Sequence, residues 1–554
     1  MAGMFAELCP PGKALPGEFL RTAGHGSGGG AGGAGGAGGV GGVGGGAAST
    51  LTYADMRAGS ARLAHALVAL GVRPGDRVAV QVDKSPEAVL LYLATLRAGA
   101  VYLPLNTAYT EAELEYFIHD AQPALWVCTP ARLHQLQGLA GRLRVPALAT
   151  LGAALDGSLL EAARELPAQF EDVPRESSDL AAILYTSGTT GRSKGAMLSH
   201  GNLLSNARTL AAHWRFSAQD VLLHALPIFH IHGLFVAINV TLAAGGSMLF
   251  LPRFDPELVL QALPHATVMM GVPTFYVRLL QDARLDRARV ARCRLFISGS
   301  APLLVETHQA WRQRTGHVIL ERYGLSETGM NCSNPYEGER VPGSVGPPLP
   351  GVSVRVTDPA TGAPVQDGAI GMIEVQGPNV FAGYWRQPDK TRAEMRDGGF
   401  FVTGDLGRID ERGYVYIVGR GKDLVISGGY NVYPKEVESE IDALPGVLES
   451  AVIGVPHPDF GEGVTAVVVA ARGPAAAAAG TALSESDILT RLRARLAAYK
   501  LPKRVIFVEE LPRNVMGKVQ KAALRERYAG LYQAAPQRQG EPEPSGGSER
   551  GQRG

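Results

Sequence analysis

Between Leu51 and about residue 330 the sequence alternates short apolar runs with stretches of helical period, and beyond residue 340 that alternation stops. LTYADMRAGSARLAHALVALGV (51–72) reads as a short strand and then a helix with Leu63, Leu67 and Leu70 at helical spacing. RVAVQV (77–82) is an apolar strand, and SPEAVLLYLATLRAGA (85–100) is a helix with Ser85 as N-cap, Pro86 in the first position and Gly99 near its end. Repeated strand–helix units bury both faces of a sheet, which favours an α/β architecture with parallel strands. After 340, VSVRVTD, GMIEVQG and GYVYIVG form a run of short strands. A charged, glycine-punctuated segment at Gly419–Asp423 then opens a unit of about 110 residues, where one helical stretch and two apolar strands make a small α+β module. The expected protein is therefore multidomain, α/β and α+β. A large N-terminal domain (1–420) combines parallel α/β subdomains with a β-rich subdomain, and a small C-terminal α+β domain covers 421–532.

At 554 residues the chain is too long for one core. Fifty-three basic against fifty-two acidic residues argue against duties resting on bulk charge, such as coating nucleic acid or an anionic membrane. From Val221 to Pro252 no Asp, Glu, Lys or Arg occurs, but Pro227, three histidines, Asn239 and Gly245-Gly246 break the stretch into pieces too short to span a bilayer. No membrane insertion is expected, and the N-terminus has no signal-peptide pattern. Cys9, Cys128, Cys293 and Cys332 lie too far apart for a CxxC metal site, so a reducing, cytoplasmic setting is expected. Residues 24–46 hold sixteen of the seventy glycines and read as a flexible insertion, while 473–484 read as a surface loop and 533–554 as a disordered tail.

The most informative stretch is LAAILYTSGTTGRSKGAMLSH (180–200). An apolar strand ends at Tyr185 and opens into a Gly/Ser/Thr loop with one lysine, followed by a helix. Gly188 and Gly191 would let backbone amides approach a polyphosphate. The hydroxyls of Thr186, Ser187, Thr189 and Thr190 could donate to its oxygens, and Lys194 adds a point charge. It is not a Walker A loop, because Lys194 is flanked by Ser193 and Gly195. A polar surface turn is the plainer alternative for such a composition.

TSGTTGRSKG resembles the phosphate-binding signature of the adenylate-forming superfamily, which includes acyl-CoA synthetases, adenylation domains and luciferases. RYGLSET (322–328) resembles that family's acidic motif, FVTGDLG (401–407) its ribose motif, GRGKDLVISGGYNVYPKEVE (419–438) its hinge, and PRNVMGKVQK (512–521) its closing lysine motif. The resemblance runs from about Leu51 to Tyr528. It implies ATP, Mg²⁺ and CoA as reaction partners and a mobile C-terminal domain. Glu327 would help bind Mg²⁺ with Thr186 close by, and Thr328 would contact the α-phosphate. Asp405 would accept both ribose hydroxyls, assisted by Arg420. Ser300 and Ala301, with Arg322, Tyr323 and Gly324, would wall the adenine. Lys518 would be the catalytic lysine, bridging the carboxylate and the α-phosphate. Rotation about Lys422 would then present the Ser427-Gly428-Gly429 edge to the CoA arm. For isolated residues plainer roles exist: a cap or salt bridge for Glu327, a turn for Asp405, solvation for Lys518.

For the acid itself, SETGMNCSNPYEGERVPGSVG and FHIHGLFVA resemble the malonyl-CoA synthetase branch, which implies malonate as substrate. A second carboxylate calls for a fixed cation in an otherwise apolar pocket. Arg278, four residues after Thr274 on an expected helix, is the candidate, helped by His232 and Ser300, with Met330 limiting pocket size. Arg278 could equally face solvent. His230 and His232 share a strand face, but no third metal ligand accompanies them. The alternatives are activation of another short or medium-chain acid, or an adenylation enzyme that loads a separate carrier protein.

Overall fold

A computed structural model describes residues 3–9, 17–22, 49–186, 193–428, 430–471, 483–514 and 517–533. The glycine tract 24–46, most of 473–484 and the tail from 534 on lie outside them. The chain divides into two compact units, Met1–Lys422 with Arg513–Lys518, and Asp423–Pro512 with Val519–Gly554.

The first unit carries three sheets. In a seven-stranded sheet, Ala147–Thr150, Leu125–Cys128, Arg77–Gln81, Val101–Pro104 and Leu180–Thr186 run parallel, and Lys194–Ser199 and Gly383–Tyr384 add antiparallel strands at one edge. An eight-stranded sheet has a parallel centre in the order Leu320–Leu325, Leu295–Ser298, Val268–Gly271, Val221–His224, Ser247–Phe250, Glu18–Thr22. The antiparallel strand Gly329–Ser333 folds back along its Leu320–Leu325 edge. The third sheet, between Ser353 and Arg420, is antiparallel throughout. Local signals decide the helices. Ser85 accepts from the amide of Ala88 and caps Pro86–Arg97, and Gly99 leaves with φ +70°, where a side chain would be strained. Helices from both parallel sheets share one apolar core containing Leu67, Tyr92, Leu184, Phe235 and Ile297.

The uncharged stretch from Val221 to Pro252 folds as strand, π-helix (His232–Ile238), short helix and strand. Among the described residues no helix is long and apolar enough to cross a membrane. In the second unit, Val447–His457 and Gly461–Ala470 form a long hairpin joined by Arg504–Val508. Apolar clusters cover both faces, Val437, Ile441 and Ile488 on one and Ile453, Leu511 and Leu524 on the other.

Candidate active site

Strand Leu180–Thr186 is buried up to Leu184 and pairs antiparallel with Lys194–Ser199, Thr186 opposite Lys194. This corrects the expected strand–loop–helix. The loop joins two strands of a hairpin, and the helix begins only at His200, after Ser199 as its cap. The alternating apolar run GAMLS supplies a second strand, Lys194–Ser199, ahead of that helix. Ser187, Gly188, Thr189, Thr190 and Gly191 lie outside the described residues.

Thr186 and Glu327 are 141 residues apart in sequence, yet the Thr186 hydroxyl donates to Glu327 Oε1 at 3.3 Å. The Tyr384 hydroxyl reaches the same oxygen at 3.2 Å. Burial raises the Glu327 carboxyl above its usual range, and Lys194 nearby opposes that shift. Among the described residues no group of three His, Cys, Asp or Glu could hold a metal ion. One carboxylate beside hydroxyls is instead the sparse, all-oxygen donor set that suits Mg²⁺ carried in on phosphates. Lys194 Nζ pairs with Glu394 at 3.1 Å.

Asp405 is buried and doubly engaged: Tyr323 donates to Oδ2 at 2.5 Å, and Arg420 Nε stands 2.7 Å from Oδ1. Antiparallel pairing of Asp405 with Arg420 makes that contact a consequence of register. Thr328 is fully buried; its hydroxyl accepts from Asn331 Nδ2 at 2.8 Å and so faces inward. Gly324 and Gly329 flank the tight turn 326–328 between Leu320–Leu325 and Gly329–Ser333, where a Cβ on Gly324 would meet the Gly329 carbonyl at 2.1 Å.

Around the end of strand Leu295–Ser298 lies a second cluster. Ser300 adopts φ +72°, and its hydroxyl is 3.2 Å from His232 Nδ1 at the start of the π-helix. Ala301 follows it in the same loop. A Cβ on Gly299 would meet Arg322 Cζ at 2.4 Å, so only glycine lets the guanidinium lie against this backbone. Arg322 is 4% exposed, and its Nε and Nη2 have no hydrogen-bond partner among the described residues. Burial pushes it down to about 9, and its charge adds to the burial that holds His232 well below the usual histidine value. His230 Nε2, His232 Nε2 and Ser298 Oγ are likewise buried without partners. Met330 is buried and packs toward Gly324. A void of about 10 Å³ among Leu203, Asn206, Ile231, Phe235 and Gly329 holds no more than a water.

Arg278 lies in the last turn of the helix Pro273–Leu280, on Thr274's face but exposed. The Lys518 amide donates to Asn514 Oδ1 at 3.0 Å. The neighbouring Gly517, φ +72°, packs so closely that a Cβ would meet Thr274 Oγ1 at 2.9 Å. In the second unit Ser427 is buried, and Gly428 (φ +58°) donates its amide to the Phe460 carbonyl at 2.9 Å; Gly429 lies outside the described residues. Lys422 sits in the turn Gly421–Asp423, the last residue of the first unit's long segment. Sequence reasoning missed Tyr384, which sheet pairing brings to Glu327, and Glu394, which contacts Tyr384 and Lys194, and it missed the unpaired nitrogens of Arg322.

Two parallel α/β layers, a β-rich sheet and a small α+β unit make the adenylate-forming fold, an ATP-dependent acid–thiol ligase that uses CoA. Residues 42–385 match the AMP-binding enzyme family and residues 436–518 the AMP-binding enzyme C-terminal domain, and the chain belongs to that family. ATP-bound MatB from Rhodopseudomonas palustris is 57% identical, with a TM-score of 0.89 over 96% of this chain and 99% of that one. A mitochondrial malonate–CoA ligase ACSF3 from Mus musculus is 37% identical over 526 residues, 88% of each chain. A feruloyl-CoA synthase from Amycolatopsis is 38% identical over 487 residues, covering 87% of this chain and 94% of that one.

Proposed function

We propose that the chain ligates malonate to CoA, cleaving ATP to AMP and pyrophosphate through malonyl-AMP. The observation that carries this reading is Arg322: a buried cation whose Nε and Nη2 have no hydrogen-bond partner among the described residues, near His232 and Ser300. A lone buried charge costs several kcal/mol, roughly, unless an anion arrives to pair with it. A dicarboxylate supplies that anion while its other carboxylate reacts. Arg278 is the second cation for the distal carboxylate, and Met330 with the closed void behind Ile231 and Phe235 limits the acid's length.

In the first half-reaction a carboxylate oxygen attacks the α-phosphorus and pyrophosphate leaves. Both reactants are anions, so positive charge must strengthen as the new bond forms. Lys194 and residues 187–191 would hold the triphosphate, Lys518 would bridge the carboxylate and the α-phosphate, and Asp405 with Arg420 would take the ribose. Ser300, Ala301, Tyr323 and Gly324 would line the adenine pocket, Arg322, expected there from the resemblance, being assigned to the acid instead, and Thr328 would lie by the α-phosphate. Glu327 and Thr186 would hold Mg²⁺, which supplies charge neutralisation on the phosphates. In the second half-reaction the CoA sulfur displaces AMP from the acyl carbon, with Lys422 as the pivot and Ser427 to Gly429 beside the pantetheine arm. Four buried cysteines that form no disulfide support a reducing compartment such as the cytoplasm.

The test is pyrophosphate release and thioester formation across C2–C8 mono- and dicarboxylates. We expect malonate to have the highest kcat/KM. A monocarboxylate or ferulate outrunning malonate would refute the substrate assignment, and turnover only with an acyl carrier would refute CoA as acceptor.

A further inference from the structure

The lysine of the phosphate segment already has an anion. Lys194 Nζ lies 3.1 and 3.4 Å from the two carboxylate oxygens of Glu394. Lys390 Nζ, one helical turn before Glu394, stands 3.0 Å from Oε1. The Lys194 ammonium is also 4.1 Å from the centre of the Tyr384 ring, and the Tyr384 hydroxyl donates to Glu394 Oε2 at 2.7 Å. The Lys194 side chain is 8% exposed and that of Glu394 20%, so the pair is shielded from water and from salt.

Glu394 lies outside every motif that the sequence singles out. Its place beside the site comes from three-dimensional proximity: Tyr384 touches both Glu394 and Glu327, and Glu327 touches Thr186. One hydroxyl has one proton, so Tyr384 cannot donate to both carboxylates at once. The shorter contact is to Glu394. That carboxylate therefore collects two ammonium groups and a phenol next to the segment where a triphosphate would sit.

We propose that Glu394 is an internal counter-ion that competes with the ATP triphosphate for Lys194 and so sets how loosely the nucleotide is held before it reacts. The proposal rests on reading residues 186–195 as the triphosphate cradle. The physical logic is that a buried ammonium needs an anion when ATP is absent, and Glu394 supplies it. When ATP binds, part of the attraction goes into separating or sharing that pair, which weakens ground-state binding. Weak ground-state binding costs little where ATP is abundant, since uniform tightening lowers KM without raising kcat. The same carboxylate repels pyrophosphate and favours its departure.

The test is calorimetric titration of the full-length protein with MgATP, without acid or CoA, alongside inhibition by pyrophosphate. E394Q removes one negative charge a few ångströms from the phosphates and should tighten ATP on the order of tenfold, with pyrophosphate tightening in parallel. E394D keeps the charge but draws it back by a methylene, and should tighten ATP by an intermediate factor, about two to three. It serves as the readout if E394Q fails to fold, which thermal unfolding checks. K194M should weaken ATP at least tenfold, roughly. Unchanged or weaker ATP binding in both Glu394 variants, with K194M impaired, overturns the counter-ion role and leaves the cradle reading standing. Unchanged binding in K194M overturns both.

Discussion

Replacing Arg322 by Met separates the cost of the buried guanidinium from its use. Methionine fills similar space without charge. Burial lowers the guanidinium to about 9, and only the nearby Tyr276 opposes that shift. A buried guanidinium without a carboxylate beside it costs the ligand-free protein several kcal/mol, roughly. Relaxation and imperfect refilling reduce what removal returns, so R322M should stabilise the free enzyme by about 2 kcal/mol, seen as a rise of a few degrees in Tm. The sign follows from linkage. At pH 7 both the folded and unfolded states hold the proton, and above about 9 only the unfolded state keeps it. Wild-type stability therefore rises relative to R322M as pH passes through 9, and the gap in Tm should narrow there. Losing a buried ion pair with the substrate should cost about 3 kcal/mol, roughly a hundredfold in KM for malonate, with the KM for ATP little changed. Malonate should raise the Tm of wild type and not that of R322M. Pyrophosphate release at varied malonate and differential scanning fluorimetry with and without malonate read both quantities. If R322M is less stable at every pH and keeps its malonate KM within about threefold, Arg322 is a packing residue and the argument for a dicarboxylate loses its base.

K518A should abolish malonyl-AMP formation while largely sparing thioester formation from supplied malonyl-AMP. Equal loss of both, measured by single-turnover assays, would contradict the half-reaction assigned to Lys518. R278A should raise the KM for malonate far more than that for ATP, and an unchanged KM would remove Arg278 from the pocket.

Local patterns carried much of the fold. Period 2 against period 3.6, Ser85 before Pro86, and Gly99 after the helix are encoded within one turn or strand, so the alternation before residue 330 and the short strands after 340 are legible directly. Where the reading went astray, neighbours elsewhere in the chain decided. GAMLS following the phosphate loop is short, and only its pairing with Leu180–Thr186 on one side and Gly383–Tyr384 on the other makes it a strand rather than the start of a helix.

The ordered motifs by themselves determined the reaction class, because anions that must meet demand glycine, hydroxyl, carboxylate and lysine groups in recognisable local runs. Which charges stay unpaid for is a different kind of fact. Glu394 and Lys194 are 200 residues apart, and the isolation of Arg322 depends on every group packed around Gly299 and His232. Desolvation and pairing are sums over spatial neighbours, so tertiary structure alone decided that Lys194 has a resident anion and that Arg322 is buried with its Nε and Nη2 unpaired among the described residues.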